Sequence, residues 1–170
     1  GREALLRGYH ERIRGLDFDF GKVGSVLEAL AYCELRDEHA GSGLEVLHGI
    51  QYFDCGRTLG ELDLVVYDPK WRRVVAVYEV KLSADLRRAR RQAADQLERF
   101  RRALRRGGIG RLKFVSSDDP PPSLAAFRDC REFGLIGSRG ARDARYDIEI
   151  DLKRDEADLL QGWLLGRDRP

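Results

Sequence analysis

The segment from Val74 to Leu82 constrains the fold more than any other stretch of this sequence. Successive side chains of a β-strand point to opposite faces of its sheet, and here both faces begin with apolar residues, among them Val75 and Val77. A strand that is apolar on both sides is typical of the centre of a sheet covered on both faces. Glu79 and Lys81 then follow on one face, where burying a charge is costly unless the charge is paired or bound to a metal.

The segments around this central strand predict an α/β fold. Short turns separate three successive strands, which is the pattern of an antiparallel meander; the strands span about 44–53, 59–67 and 73–82. Helices are predicted before Gly15 and over about 22–38, 85–106, 123–131 and 155–165, with further strands over 111–116, 133–136 and 146–152. The strand over 111–116 is expected to return beside the sheet after the long helix. The core order α-β-β-β-α-β, with C-terminal additions, predicts a mixed β-sheet flanked by helices.

Length and composition fit one globular domain. The 170 residues are 42% hydrophobic and 35% charged, so we expect a single domain over residues 1–170. No apolar run approaches the roughly 20 residues that span a bilayer, and no secretory pattern is present. Three distant cysteines, Cys33, Cys55 and Cys130, are typical of free thiols in a reducing compartment such as the cytoplasm. A chain that starts at Gly1 and lacks methionine is expected to be a piece of a longer protein.

The long helix over 85–106 is strongly basic although the chain as a whole has a formal net charge of only +2. It contains nine arginines against three acidic residues. Such a block is either a surface that binds phosphates or an ordinary solvated helix face, and its charge alone does not decide between them.

A second acid, Asp63, lies on the strand that precedes the central strand in the sequence. We expect its side chain to be a neighbour of Glu79 in the sheet. Phosphodiester hydrolysis needs an activated water and neutralisation of the charge that develops on the phosphate, and a hard divalent cation held by oxygen ligands supplies both. Asp63 and Glu79 are therefore candidate metal ligands, with the backbone carbonyl of Val80 as a further ligand. Lys81 is a candidate to orient the water or stabilise the transition state. The plainer alternative is a Glu–Lys ion pair on an exposed strand.

With Asp63 followed by Glu79-Val80-Lys81, the sequence resembles the PD-(D/E)XK nuclease superfamily, which has the restriction-endonuclease-like fold. The resemblance extends over about 22–116. Glu28, on the helix before the sheet, matches an additional acid that helps to hold metal in many members. Gln92 and Gln96 resemble the glutamine of the RecB-type and Holliday-junction-resolvase-like branches. The position before Asp63 is Leu62 rather than the proline of the motif, and the chain lacks the cysteines of iron–sulfur members.

The resemblance implies a Mg²⁺- or Mn²⁺-dependent endonuclease or other phosphodiesterase, with DNA favoured as substrate. It implies catalytic roles for Asp63, Glu79, Lys81, Glu28 and Gln96, and metal binding by Asp63, Glu79, Val80 and Glu28. Nucleic acid is expected to contact Arg87, Arg88, Arg91 and Gln92. A homodimer is an expected assembly, since many nucleases of this fold cut both strands as dimers. Two alternatives remain open: an inactive nucleic-acid-binding module of the same fold, and an effector or toxin nuclease domain controlled by an inhibitor or by other domains of its parent protein.

Overall fold

A computed structural model describes residues 1–170 and shows a six-stranded sheet between two layers of helices. In chain order the elements are α1 (Arg2–Ile13), α2 (Gly24–Glu38), β1 (Glu45–Asp54), β2 (Arg57–Asp68), β3 (Arg73–Lys81), α3 (Leu86–Arg106), β4 (Arg111–Phe114), α4 (Leu124–Phe127), β5 (Glu132–Gly137), β6 (Ile148–Glu149) and α5 (Arg154–Leu164). The strand order across the sheet is β4-β1-β2-β3-β5-β6. The predicted α/β class and the mixed sheet flanked by helices are confirmed.

The predicted meander is confirmed, and a parallel crossover follows it. β1 pairs with β2 and β2 with β3, both antiparallel. α3 then leads back across one face, and β5 pairs with β3 in parallel. β3 therefore lies between two hydrogen-bonded neighbours, as its two apolar faces predict.

The strand after α3 returns beside the sheet, as the sequence predicts, and it takes an edge position. β4 joins the opposite edge of the sheet, antiparallel to β1, with Ile50 opposite Phe114. The place beside β3 belongs to β5, in which Leu135 and Ile136 are both buried. The side chains of β4 alternate between exposed and half-buried, which suits an edge strand, whereas a run of buried residues suits a parallel strand inside the sheet.

The predicted strand over 146–152 is largely wrong, because only Ile148 and Glu149 pair with β5. Tyr146 instead turns into the core, where its hydroxyl donates a hydrogen bond to the carbonyl of Leu86 at 2.8 Å. Leu152 is fully buried on the other side of the sheet. The short helix α4 also ends earlier than predicted, at Phe127.

Each face of the sheet has its own apolar core. The first core joins α1, α2 and α5 to one face, with Leu27, Leu64 and Leu160 completely buried. The second core joins α3 and α4 to the other face, around Phe100 and Phe127. Helix layers on both faces are what an α/β sheet needs to bury its two apolar sides.

The ends of α3 have standard caps. The side chain of Asp85 accepts a hydrogen bond from the backbone N–H of Arg88, and Gly107 ends the helix in the left-handed conformation. The apolar stripe of α3 packs on the sheet and includes Ala93, Leu97 and Phe100. The arginines of the helix lie on its outer side. The direction of α3 is therefore set by the core, and its charges are displayed to solvent.

No helix in residues 1–170 is long and apolar enough to cross a membrane. Cys33, Cys55 and Cys130 are all free thiols, in agreement with the absence of a disulfide framework expected from the sequence.

Gly137 offers a test of how tightly β5 packs. A Cβ atom at this position would lie 2.7 Å from the Cβ of Ala141 and 2.9 Å from the ring of Tyr146. Gly137→Ala is therefore expected to lower the free energy of unfolding by about 1–3 kcal/mol, the usual cost of overpacking. Gly8→Ala in α1 is the matched control, because a Cβ atom there meets nothing within 4 Å. Urea denaturation of both variants checks this, and equal midpoints would contradict it.

Candidate active site

The two candidate metal-binding acids meet where β2 and β3 stop pairing. The register of Leu64 with Tyr78 is the last pair at this end of the two strands, and it places Asp63 next to Glu79 just beyond it. Here the Oδ2 atom of Asp63 accepts a hydrogen bond from the backbone N–H of Val80 at 2.8 Å. A side-chain carboxylate thus takes the place that a backbone carbonyl of β2 would hold in a continuing ladder.

On its other side Asp63 lies across from Gly49. The β1–β2 pairs run from His48 with Leu64 directly to Ile50 with Leu62, and they omit Gly49 and Asp63. Gly49 has a φ of +64°, a left-handed conformation that suits glycine. The backbone is therefore irregular at Gly49, although the register of β1 and β2 is the same before and after it. Sequence reasoning missed Gly49, although a glycine inside a strand is a known signal for such an irregularity.

Asp63 and Glu79 share a buried, coupled carboxyl pair. Only 9% of Asp63 and 3% of Glu79 are exposed. Burial, the negative charge of Asp63 and a hydrogen bond with Asp63 together raise the pKa of Glu79 to about 11. Burial also raises the pKa of Asp63, while hydrogen bonds from Glu79 and from the N–H of Val80 oppose the rise. Burial and mutual repulsion therefore disfavour ionisation of both carboxyls at once, and the raised pKa of Glu79 favours its protonated form near neutral pH.

Glu28 belongs to the same electrostatic cluster. It lies on α2, half-buried, and burial together with the charges of Asp63 and Glu61 raises its pKa to about 9. The positive charge of Lys81 opposes the upward shifts in pKa of Glu28, Asp63 and Glu79 alike. The structure thus brings together four of the predicted site residues, three acids and Lys81, from α2, β2 and β3.

The two glutamines of α3 differ in their surroundings. Gln92 is exposed to solvent. Gln96 is half-buried, and its Oε1 atom is buried without a hydrogen-bond partner. A buried carbonyl without a donor is unfavourable by about 1–3 kcal/mol, so the Gln96 amide is available to accept a hydrogen bond from a ligand or water. Neither glutamine forms a hydrogen bond with the acids.

Six of the nine arginines of α3 form two groups with different surroundings. Near the C-terminal end, Arg101, Arg102 and Arg105 lie within 4.0 Å of the carboxylate of Glu98, which partly neutralises them. Near the N-terminal end, Arg87, Arg88 and Arg91 are exposed and form no ion pair. This unpaired group lies closest along the chain to Lys81. The distinction is invisible in the sequence pattern, because all nine arginines lie on one continuous helix.

The carboxylates of Asp63 and Glu79 are suitable ligands for a hard divalent cation, although the side chains are not arranged as a complete metal site. Carboxylate oxygens are the ligands that Mg²⁺ and Mn²⁺ prefer, and a buried acid pair that retains a proton gains stability when a cation replaces that proton. No group of three or more His, Cys, Asp or Glu side chains in residues 1–170 is arranged to hold a metal. Asp63 and Glu79 would therefore form the centre of such a site, with Val80 and Glu28 contributing after a side-chain adjustment.

A cavity of about 340 Å³ is lined by Glu28 but not by Asp63 or Glu79. Its walls come from the loop before α2, from α2, from β1 and β2 and from the segment after β4, and they include Glu28, Glu61, Lys22, Phe18 and His48. Burial raises the pKa of both Glu28 and Glu61, and the positive charge of Lys22 opposes this rise. Sequence reasoning missed Lys22, because a single lysine in a loop before a helix has no distinguishing pattern.

Comparison with known proteins adds little to this picture. No protein-family model matches the chain, and no curated protein sequence matches it. Among solved structures, the chain is similar to the cAAA-bound form of NucC from P. aeruginosa ATCC27853, with 16% sequence identity and a TM-score of 0.38. The match covers 91% of this chain and 67% of the NucC chain. A likeness this weak transfers neither residues nor activity.

Proposed function

We propose that the protein is a metal-dependent nuclease of the PD-(D/E)XK superfamily that hydrolyses phosphodiester bonds, with DNA as its substrate. One observation carries the proposal: Asp63, Glu79 and Glu28 come from three different elements and form one coupled acid cluster that contains Lys81. Buried acids with strongly shifted pKa values beside a lysine are costly to the fold, and such costs are typical of functional sites.

Each of these residues has a role in the proposed reaction. Asp63 and Glu79 hold Mg²⁺ or Mn²⁺, with the carbonyl of Val80 and the carboxylate of Glu28 as further ligands. When bound, the cation supplies Lewis acidity toward the phosphate and lowers the pKa of a water molecule. Lys81 orients the attacking water or stabilises the extra negative charge on the phosphate in the transition state. Gln96 offers its unpartnered Oε1 atom as an acceptor for a water or for the substrate.

The N-terminal half of α3 binds the nucleic-acid backbone in this proposal. Arg87, Arg88 and Arg91 present unpaired guanidinium groups to solvent, and Gln92 is exposed beside them. Contacts of this kind hold phosphates without reading the sequence. They would place the substrate at the end of β3 where Lys81 lies. A homodimer would allow two such sites to cut both strands.

A cleavage assay tests the proposal directly. Supercoiled, linear and branched DNA and an RNA substrate are incubated with the protein in Mg²⁺, Mn²⁺ or EDTA, and products are separated on gels. Cutting of DNA that requires the metal is the expected result. Binding without cutting by the folded protein would favour the inactive binding module instead. Activity that appears only after removal of a bound inhibitor or of other parent-protein domains would favour the effector or toxin domain.

The two arginine groups of α3 provide a matched comparison. Replacing Arg87, Arg88 and Arg91 with alanine is expected to weaken binding of duplex DNA. It should also reduce the slope of log K against log salt by about 3, since each phosphate contact contributes about 0.9. Replacing Arg101, Arg102 and Arg105, whose charges Glu98 already partly neutralises, should change the slope much less. Anisotropy titrations at several salt concentrations measure both, and equal slopes for the two triple variants would show that α3 is an ordinary solvated face.

A further inference from the structure

The turn between β2 and β3 is firmly built although it projects into solvent. The Oδ1 atom of Asp68 accepts hydrogen bonds from the backbone N–H groups of Lys70, at 3.0 Å, and of Trp71, at 3.3 Å. This is the Asx-type arrangement that stabilises turns. Arg72 has a φ of +51°, a conformation that is uncommon for a residue other than glycine. The backbone of the turn is therefore held in a defined conformation.

Trp71 is displayed at this turn rather than packed. It is 68% exposed, the highest exposure of any large apolar side chain in the protein, whereas Trp163 is only 8% exposed. The one contact recorded for its ring is with the ammonium group of Lys70, which lies 5.5 Å from the ring centroid. Trp71 thus belongs to neither apolar core, and the proposed stacking surface is the ring face that Lys70 does not cover.

The charges around Trp71 indicate what kind of ligand fits. Lys70, Arg72 and Arg73 are all exposed and none of them forms an ion pair, while the only acid of the turn, Asp68, is engaged with the backbone. An exposed aromatic ring next in sequence to unpaired cations matches a ligand that carries both phosphates and aromatic rings. Proteins that bind single-stranded nucleic acid combine these two features.

We propose that this turn, residues 68–73, is a second nucleic-acid contact, in which Trp71 stacks on an unpaired base while Lys70, Arg72 and Arg73 bind the flanking phosphates. The inference rests on the proposed function, because it assumes a nucleic-acid substrate. Glu79 lies six positions after Arg73 along β3, which corresponds to about 20 Å at the usual rise of a strand. The contact is therefore separate from the acid cluster, and it favours substrates with an unpaired segment.

A second copy of this chain is a poorer occupant of the turn. A symmetric contact would place the same surface on both partners, so three unpaired cations would face three others. Repulsion between like charges at short range disfavours that arrangement. An oligonucleotide offers the opposite charge and a stacking partner at once.

Tryptophan fluorescence tests the proposal, because the chain has only two tryptophans. In a Trp163→Phe background, Trp71 is the only emitter. A short single-stranded oligonucleotide is titrated in EDTA, which prevents cleavage. We expect quenching of Trp71 emission, and we expect Trp71→Ala to weaken binding about tenfold, since base–aromatic stacking is worth roughly 1–3 kcal/mol. Trp71→Phe should retain most of the affinity.

Salt dependence provides the second measurement. Replacing Lys70, Arg72 and Arg73 with alanine should reduce the slope of log K against log salt by about 2, at about 0.7 per phosphate contact for a single strand. Arg7→Ala is the control, because Arg7 is an exposed arginine of α1 whose charge is already paired with Glu3 at 2.7 Å. It should leave the slope unchanged.

The outcomes separate this inference from the nuclease proposal. Metal-dependent cleavage together with unchanged Trp71 emission and normal binding by Trp71→Ala would overturn the inference and leave the nuclease intact. Quenching and loss of binding in Trp71→Ala, without cleavage of any substrate, would support the contact and count against the nuclease. A change in Trp71 emission that follows protein concentration in the absence of oligonucleotide would identify a second copy as the occupant and overturn the inference.

Discussion

A Glu79→Gln variant is expected to be at least as stable as the wild-type protein while losing metal-dependent cleavage. Glu79 carries a proton in the folded protein near neutral pH, because its pKa is raised to about 11. Glutamine has the same shape as that protonated acid and can donate the same hydrogen bond to Asp63. It cannot become a carboxylate ligand. We therefore expect cleavage to fall by at least about a hundredfold, as for the loss of a group that stabilises the transition state.

The pH dependence of stability distinguishes this explanation from simple damage to the core. In the unfolded chain Glu79 loses its proton at the ordinary carboxyl pKa, whereas in the folded protein it keeps the proton to a much higher pH. The stability associated with this group is therefore fully present below the ordinary pKa and is lost as pH rises toward 11. Glutamine has no such dependence.

Urea denaturation at two pH values, without metal, measures the difference. Glu79→Gln should match the wild type near pH 4 and exceed it near pH 8, by on the order of 1 kcal/mol or more. Glu45→Gln is the control, since Glu45 is exposed at the far end of β1 and should change neither stability nor cleavage. A Glu79→Gln protein that cuts DNA normally would remove Glu79 from the proposed site.

Lys81→Ala is expected to keep the fold and to reduce cleavage by about a hundredfold to a thousandfold, the usual effect of removing a group that stabilises the transition state. Lys81 is half-buried at the end of β3, so the loss of its side chain leaves no sealed cavity. Its charge opposes the high pKa values of three acids. Without it those acids hold their protons more firmly, while a bound cation would lose a repulsive neighbour, so metal affinity and turnover must be measured separately.

Two measurements separate the effects of Lys81 on metal binding and on catalysis. Calorimetric titration of Mg²⁺ or Mn²⁺ reports the first, and single-turnover cleavage at saturating metal reports the second. Lys113→Ala, on the exposed side of the edge strand β4, is the matched control and should behave like the wild type. Unchanged turnover in Lys81→Ala would show that the lysine serves only as a counter-ion for the acids.

The sequence predicts the centre of this fold better than its edges, and the reason is physical. β3 is identifiable because both of its faces are apolar, and it does lie between β2 and β5. The choice between β4 and β5 as its parallel neighbour depends on strand pairing between distant segments, which has no local signal. The run of buried residues around Leu135 and Ile136 is the best indication of the correct answer.

The candidate site is predicted to a similar extent. Strand periodicity places Asp63, Glu79 and Lys81 together, and the helix before the sheet supplies Glu28. Periodicity does not reveal that Asp63 ends the ladder between β2 and β3, because that depends on where two strands separate. Nor does it show which arginines of α3 are neutralised, since this depends on the side-chain conformation around Glu98.

The hydrogen bond from the N–H of Val80 to Asp63 has a consequence for interpreting relatives of this protein. A lineage that abandons hydrolysis would still need an acceptor for that buried N–H, so selection for folding alone would retain Asp63. An aspartate at this position is therefore weak evidence that a relative is an active enzyme. The side chains of Glu79 and Lys81 accept or donate no such hydrogen bond with the backbone. In a lineage without catalysis, folding alone would therefore not prevent their substitution. Their joint retention is the better marker of activity.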